Sequence, residues 1–81
     1  MKIIIDSKNK NIVGPQIKKI RESTHLTQKQ LSAKLETLAV YIDRASISKL
    51  ERQKRIVTDY ELMALSKLLK VSVLWLLDAE E

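Results

Sequence analysis

The sequence contains no cysteine and no phenylalanine, and it has only one glycine and one proline among its 81 residues. Without cysteine there is no disulfide framework, no thiolate nucleophile and no cysteine-based zinc site, so a small zinc finger is excluded. The scarcity of glycine and proline disfavours a turn-rich β architecture. We therefore expect one small all-α domain whose hydrophobic core is sufficient without a cross-link.

Long apolar runs are also absent. The segments Ile3–Ile5 and Val71–Leu77 are far shorter than the roughly 20 residues that a membrane-spanning helix requires,. With no signal-peptide pattern either, we expect a cytoplasmic protein that does not associate with membranes.

No catalytic arrangement is recognisable. The single histidine, His25, lies in a predicted turn, where an imidazole is more typical of a surface residue than of a catalyst or ligand,. There is no pair of nucleophile and base, no metal-ligand cluster and no phosphate-binding loop. We therefore expect no enzyme activity, no cofactor and no metal site.

The net charge of +5 is unevenly distributed along the chain. Residues 44–55 contain five cations against the single carboxylate of Glu51, whereas residues 56–81 contain five carboxylates against two lysines. A basic face opposite an acidic end favours a polyanion that is held in one orientation.

The first two helices have clear start signals. Gly14 as N-cap with Pro15 at the first helical position predicts a helix that runs to about Ser23. Thr27 begins a second helix as N-cap, with Gln30 as its capping-box partner. The end of this helix stays open, at Leu38 or later, because apolar residues continue at helical spacing. These residues are Leu31, Leu35, Leu38 and Ile42.

Three more caps follow. Asp43 is a good N-cap for a third helix that ends near Arg52 or Gln53. Thr58 with Glu61 repeats the capping box and begins a fourth helix, which runs to about Leu69, and Ser72 caps a last short helix through Leu77. The predicted core residues of the fourth helix are Leu62, Met63, Leu65, Leu68 and Leu69.

These signals predict a compact five-helix bundle that forms one domain over residues 13–78. Residues 79–81 form an acidic tail. Residues 1–12 are either a short strand or a loosely held arm. Three roles are open for them: a disordered leader, contact with DNA through Lys8 and Lys10, or pairing with a second subunit through Ile3–Ile5.

The predicted third helix has two different faces. Ile47 and Leu50 lie three residues apart and share one apolar stripe. The other faces carry hydroxyls and cations, which are the groups that hydrogen-bond base edges and neutralise phosphates. They are Arg44, Ser46, Ser48, Lys49 and Arg52. We therefore interpret this element as a DNA-binding helix.

Four segments in this order resemble the helix-turn-helix domain of the lambdoid phage repressors and Cro proteins. They are IKKIRES, LTQKQLSAKL, ISKLERQKR and LLKVSVLWLL, and the resemblance covers about Val13 to Asp78. It implies a lambda repressor-like fold, with the second and third helices on double-stranded DNA and the third in the major groove. It also implies a bacterial or phage regulator that acts as a homodimer.

The resemblance places DNA contacts on specific residues. Thr27 caps the second helix, and Gln28 matches a position that contacts a phosphate and braces the third helix. Arg44, Ala45 and Lys49 match base-contacting positions, and Ser46 and Ser48 are neighbours within reach of the groove. Lys54 and Arg55 match a basic exit that contacts the DNA backbone.

The resemblance also implies a salt bridge between Arg21 and Glu51, which fixes the angle of the third helix. The sequence departs from the pattern of this family in two ways. The segment between helices two and three is about five residues longer than is usual, and His25 and Gln53 occupy helix ends where glycine is common. The candidates for a dimer contact are Leu74, Trp75 and Leu77, or Ile3–Ile5.

The expected function is a sequence-specific transcriptional regulator, and a repressor in particular. One alternative is the DNA-binding antitoxin of a toxin–antitoxin pair, whose surface also binds a protein partner such as a toxin or another regulator. A second alternative is a protein-interaction module that has lost DNA binding, which the positive charge of residues 44–55 argues against.

Overall fold

The computed structural model describes residues 8–79, and within this range the chain forms five α-helices, which confirms the all-α prediction. They are α1 (Gly14–Ser23), α2 (Gln28–Glu36), α3 (Arg44–Glu51), α4 (Asp59–Leu69) and α5 (Val73–Leu76). None of these helices is long and apolar enough to cross a membrane. The predictions for Ile3–Ile5 and for the end of the acidic tail lie outside the described residues.

The helix starts follow the capping signals in the sequence. Thr27 Oγ1 accepts the N–H of Gln30 at 3.0 Å, and Gln30 Oε1 accepts the N–H of Thr27 at 2.9 Å. Thr58 and Glu61 form the same reciprocal pair at the start of α4. Both predicted capping boxes are therefore confirmed, and they fix where α2 and α4 begin.

Asp43 caps α3, the helix that carries most of the predicted DNA contacts. Its Oδ1 accepts the N–H of Ser46 at 2.7 Å. This hydrogen bond holds the pKa of the Asp43 carboxyl below its usual value, with smaller contributions from the positive charges of Lys49 and Arg55. The carboxylate also lies at the positive end of the helix dipole, which stabilises the first turn.

Several predicted details were wrong. Gly14 is the first helical residue of α1 and Val13 is its N-cap. The second helix does not extend through Leu38, because a turn with Ala39 in the left-handed conformation (φ 59°) ends it at Glu36. Leu38 is consequently 44% exposed. Met63 is 55% exposed instead of in the core, since it lies about 200° around α4 from Leu65,.

The core lies between α1, α2, α3 and α4, with α5 closing one end. α3 packs against both α1 and α2. Ile47 and Leu50 are almost fully buried, so the apolar stripe predicted for this helix is its inner face. The buried apolar residues are Val13, Ile17, Leu31, Leu35, Ile42, Ile47, Leu50, Ala64, Leu65, Leu69 and Leu76.

A buried ion pair joins α1 to α3. Arg21 donates from Nε to Glu51 Oε2 at 2.6 Å and from Nη2 to Glu51 Oε1 at 3.0 Å. Arg21 Nη1 also donates to the Leu26 carbonyl at 2.7 Å. The side chains of the two residues are only 10% and 3% exposed. The hydrogen bond to Glu51 raises the pKa of Arg21,.

Gly14 allows α1 to begin close to the end of α3. A Cβ at this position would lie 2.4 Å from the Leu50 carbonyl oxygen and 2.9 Å from that of Glu51. Both neighbours are backbone atoms that cannot move without shifting α3. The φ of Gly14 does not lie in the left-handed region, so backbone freedom is not the reason for a glycine here. The glycine is required because a side chain would not fit against the end of α3.

The lengthened segment between α2 and α3 is attached to the core at two points. The Val40 N–H donates to the Leu35 carbonyl at 3.1 Å, which closes the end of α2,. Ser32 Oγ donates to the Ile42 carbonyl at 2.7 Å, and the Ile42 side chain is buried. The extra residues therefore form an ordered turn that leads directly into the cap of α3.

We expect Arg21→Ala and Glu51→Ala each to lower the free energy of unfolding by about 3–5 kcal/mol, because each leaves a buried charge without its partner. Urea denaturation of the wild type, both single variants and the double variant measures the coupling between them. The double variant should lose less than the sum of the single variants by at least about 1 kcal/mol. Lys18→Ala, an exposed change on α1, is the control and should be additive with Glu51→Ala. Coupling near zero between Arg21 and Glu51 would contradict the assignment.

We expect Ala39→Gly to raise the free energy of unfolding by about 0.5–1 kcal/mol, because glycine adopts the left-handed conformation without strain. Ala33→Gly, the same chemical change at an exposed position inside α2, should lower it by a similar amount. Thermal and urea denaturation of both variants test the pair. If both variants changed the free energy of unfolding by the same amount in the same direction, the left-handed conformation of residue 39 would not explain the change.

Candidate nucleic-acid interface

The outer face of α3 is exposed and polar. Ala45, Lys49 and Arg52 recur at helical spacing on the side opposite Ile47 and Leu50,. The inner face is held by the core, so the outer face keeps a fixed direction. Side chains on it can enter a groove without first becoming ordered as a helix.

Arg44 and the two serines lie on either side of that outer strip. Arg44 is exposed in the first turn of α3, and its side chain has no hydrogen bond or ion pair within residues 8–79. Ser46 and Ser48 are half-buried at the flanks of the helix. The structure thus brings the predicted groove residues Arg44, Ala45, Ser46, Ser48 and Lys49 onto one helix, with Arg44, Ala45 and Lys49 the most accessible.

The start of α2 is attached to α3 through Gln28. Gln28 Nε2 donates to Glu51 Oε1 at 3.1 Å, the same oxygen that Arg21 Nη2 contacts. The bracing contact expected of Gln28 is therefore formed. Thr27 lies exposed just before it, at the N-terminus of α2, where the helix dipole favours an anion,.

A basic depression lies beside the end of α3. Its lining residues come from the segment before α1, from α3 and from the segment after α3: Lys10, Ser46, Lys49, Lys54, Arg55 and Ile56. Lys54 is exposed here. Because Lys49 and Ser46 belong both to α3 and to this depression, the outer face of α3 and the depression form one continuous positive surface.

Arg55 makes a contact that the sequence analysis did not predict. Its Nη1 and Nη2 donate to the two carboxylate oxygens of Glu61 at 2.9 and 2.7 Å, and Nη1 also donates to the Ile56 carbonyl. The contact raises the pKa of Arg55 and lowers that of Glu61. Arg55 is therefore already paired with a carboxylate, and its contact with the DNA backbone stays a prediction.

Asn11 is a second residue that sequence reasoning missed. Its Oδ1 accepts the Gly14 N–H at 2.9 Å, and its Nδ2 donates to the carbonyls of Leu50 at 3.0 Å and Arg55 at 2.8 Å. The asparagine three residues before a helix start was a local signal for a capping interaction. Its partners after α3 are 39 and 44 positions away, so no local pattern could identify them.

The three dimer candidates near the C-terminus differ in exposure. Leu74 is 55% exposed, whereas Trp75 and Leu77 are half-buried and pack against the core. The Trp75 carbonyl accepts Gln16 Nε2 at 3.0 Å, which fixes α5 to α1. Leu74 is therefore the one of the three that offers a free apolar side chain, and its role in a dimer stays a prediction.

Comparisons with known proteins identify the architecture. A family model described as helix-turn-helix (HTH_3) matches residues 17–76, which is most of the chain. No curated protein sequence matches. Among solved structures, the chain is similar to the P22 c2 repressor protein, crystallised in complex with synthetic operator 9T in the presence of Tl⁺. The two are 26% identical, with a TM-score of 0.72, over 86% of this chain and 98% of that chain. The chain therefore belongs to the Cro/C1-type helix-turn-helix family of DNA-binding transcriptional regulators.

Proposed function

We propose that this regulator is a repressor that binds a roughly palindromic operator as a homodimer, with α3 in the major groove. The observation that carries the proposal is the two-sided placement of α3. Ile47, Leu50 and Glu51 are buried and hold the helix from behind, while its opposite face is exposed and basic. A helix held in this way can present side chains to base edges in a fixed register.

The base contacts are assigned to the accessible residues of that face. Arg44 has no partner within the described chain, and an arginine fork pairs well with guanine O6 and N7,. Ala45 is exposed and small enough to pack on a thymine methyl group. Lys49 lies one turn further along, and Ser46 and Ser48 flank these positions.

We assign the contacts with the DNA backbone to two places, the start of α2 and the segment that follows α3. At the start of α2, Thr27 is exposed and Gln28 is half-buried and bound to Glu51, and the dipole of the helix favours a phosphate at this end,. At the exit of α3, Lys54 is the exposed cation and Arg55 adds charge although it is bound to Glu61. Contacts on two sides of α3 would fix its orientation in the groove.

The repressor role and the dimer rest on two arguments. The chain is similar to a repressor that was crystallised with operator DNA. A single domain of this size also covers too little DNA for tight specific binding, so two copies on adjacent half-sites are needed. Half-sites about one helical turn apart, roughly 10 base pairs, match a two-fold symmetric dimer.

Selection of bound sites from random duplex DNA tests the function. We expect a two-fold symmetric sequence with half-sites about 10 base pairs apart. Arg44→Ala should weaken binding to that sequence by about 1–3 kcal/mol per half-site and relax the preference at one position in each half-site, because one base contact is lost in each. Competition binding against single-base variants of the selected sequence measures the preference.

Lys54→Ala is the matched control for Arg44→Ala, since both remove one exposed cation from the same surface. It should weaken all sequences alike and leave the preference unchanged, because a phosphate contact carries no sequence information. If selection by the wild type enriched no sequence and affinity followed ionic strength alone, specific recognition would be contradicted.

A further inference from the structure

The segment before α1 is docked onto the end of α3. The Lys10 N–H donates to the Gln53 carbonyl at 3.0 Å, and Gln53 Nε2 donates back to the Asn11 carbonyl at 3.0 Å. The Asn11 side chain adds its two hydrogen bonds to the carbonyls of Leu50 and Arg55. Lys10 is therefore held at a defined place next to the exit of α3.

This docking places positive charge from distant parts of the chain around one depression. Lys10, Lys49 and Lys54 line it, and none of the three makes an ion pair within 4 Å in the described part of the chain. Two carboxylates act on the lining cations: Asp43 attracts Lys49 and Arg55, and Glu61 is bound to Arg55. Since Glu61 neutralises Arg55, the lysines supply the net positive charge.

The same hydrogen bonds remove a source of repulsion. The last carbonyl groups of a helix are unsatisfied and form the negative end of its dipole, which disfavours an anion. Here the Leu50 carbonyl in the last turn of α3 accepts the Asn11 side-chain amide, and the carbonyls of Gln53 and Arg55, which follow the helix, accept N–H groups from Lys10 and Asn11. Carbonyl groups at and just after the end of α3 are therefore paired with donors from the segment before α1.

We propose that this depression binds one phosphate of the DNA backbone, with Lys10 and Lys54 as the contacting cations and Asn11 as a positioning residue. Ser46 and Lys49 line both the depression and α3, so a strand that follows α3 in the groove passes directly over the depression. The inference rests on the proposed function, because it requires duplex DNA to be bound at α3. It adds a contact from outside the helix-turn-helix unit, because Lys10 precedes α1.

The salt dependence of binding tests this contact, with a 20-base-pair duplex of arbitrary sequence and the duplex recovered by selection as probes. Each phosphate contact contributes about 0.9 to the slope of log affinity against log salt concentration. Lys10→Gln should reduce the slope by this amount for each bound protomer, which is about 1.8 for a homodimer on the selected duplex. Between 50 and 200 mM salt, the wild type should therefore lose about 3- to 4-fold more affinity than the variant for each bound protomer, or about 12-fold more for the homodimer on the selected duplex.

Two further variants distinguish a specific phosphate site from a general effect of the protein's positive charge on DNA binding. Lys67→Gln removes an exposed lysine of α4 outside the depression and should leave the slope unchanged. Asn11→Ala keeps Lys10 and its backbone hydrogen bond to Gln53 but removes the three side-chain hydrogen bonds of Asn11, so its slope should lie between those of the wild type and Lys10→Gln, provided that circular dichroism shows a folded protein. Ethylation of individual phosphates gives a second readout: the wild type should show interference at one phosphate per half-site that Lys10→Gln no longer shows.

An unchanged slope and unchanged ethylation interference in Lys10→Gln would overturn the inference. If the wild type still selected a sequence in that case, the proposed function would stand. Conversely, a reduced slope in Lys10→Gln without any selected sequence would support the phosphate contact and contradict sequence-specific recognition. Equal losses in Lys10→Gln and Lys67→Gln would show a general charge effect and also overturn the site.

Discussion

The carboxylate of Glu51 is the interaction on which the position of α3 depends. It accepts two hydrogen bonds from Arg21 of α1 and one from Gln28 at the start of α2. One buried group thus joins three helices and sets their relative angles. A buried charge is costly to transfer from water, so such a group is tolerated only when its lone pairs are well satisfied. The directional bonds then specify one packing where apolar contacts alone would allow several.

The helix starts were predictable because their signals are local. Thr27 with Gln30 and Thr58 with Glu61 are three residues apart, and the hydrogen bonds that they form need no other part of the chain,. The inner face of α3 was predictable for a similar reason, since Ile47 and Leu50 follow the helical repeat. The Arg21 and Glu51 pair was accessible only through resemblance, because the residues are 30 positions apart.

The features that sequence reasoning missed depend on contacts between distant segments. The end of α2 is set by Ala39 in a left-handed conformation, and the half-buried Val40 and the buried Ile42, on either side of the exposed Tyr41, attach the following segment to the core. Glu61 was identified as a cap, but its second role as the partner of Arg55 depends on how the exit of α3 folds back on α4. Similarly, the docking of Asn11 across α3 requires the completed fold.

Within residues 8–79, five residues other than glycine take positive φ values just beyond the helix ends: His25, Ala39, Gln53, Lys70 and Asp78. Each conformation is unfavourable for a residue with a side chain, yet each is held by backbone hydrogen bonds to the preceding turn of the helix,. The positions of the turns in this fold are thus set by the packing of the helices and not by the identity of the turn residue. A consequence concerns the detection of related proteins: a sequence pattern that demands glycine between the helices would exclude this chain, whereas a pattern built on the caps and the buried stripe would include it.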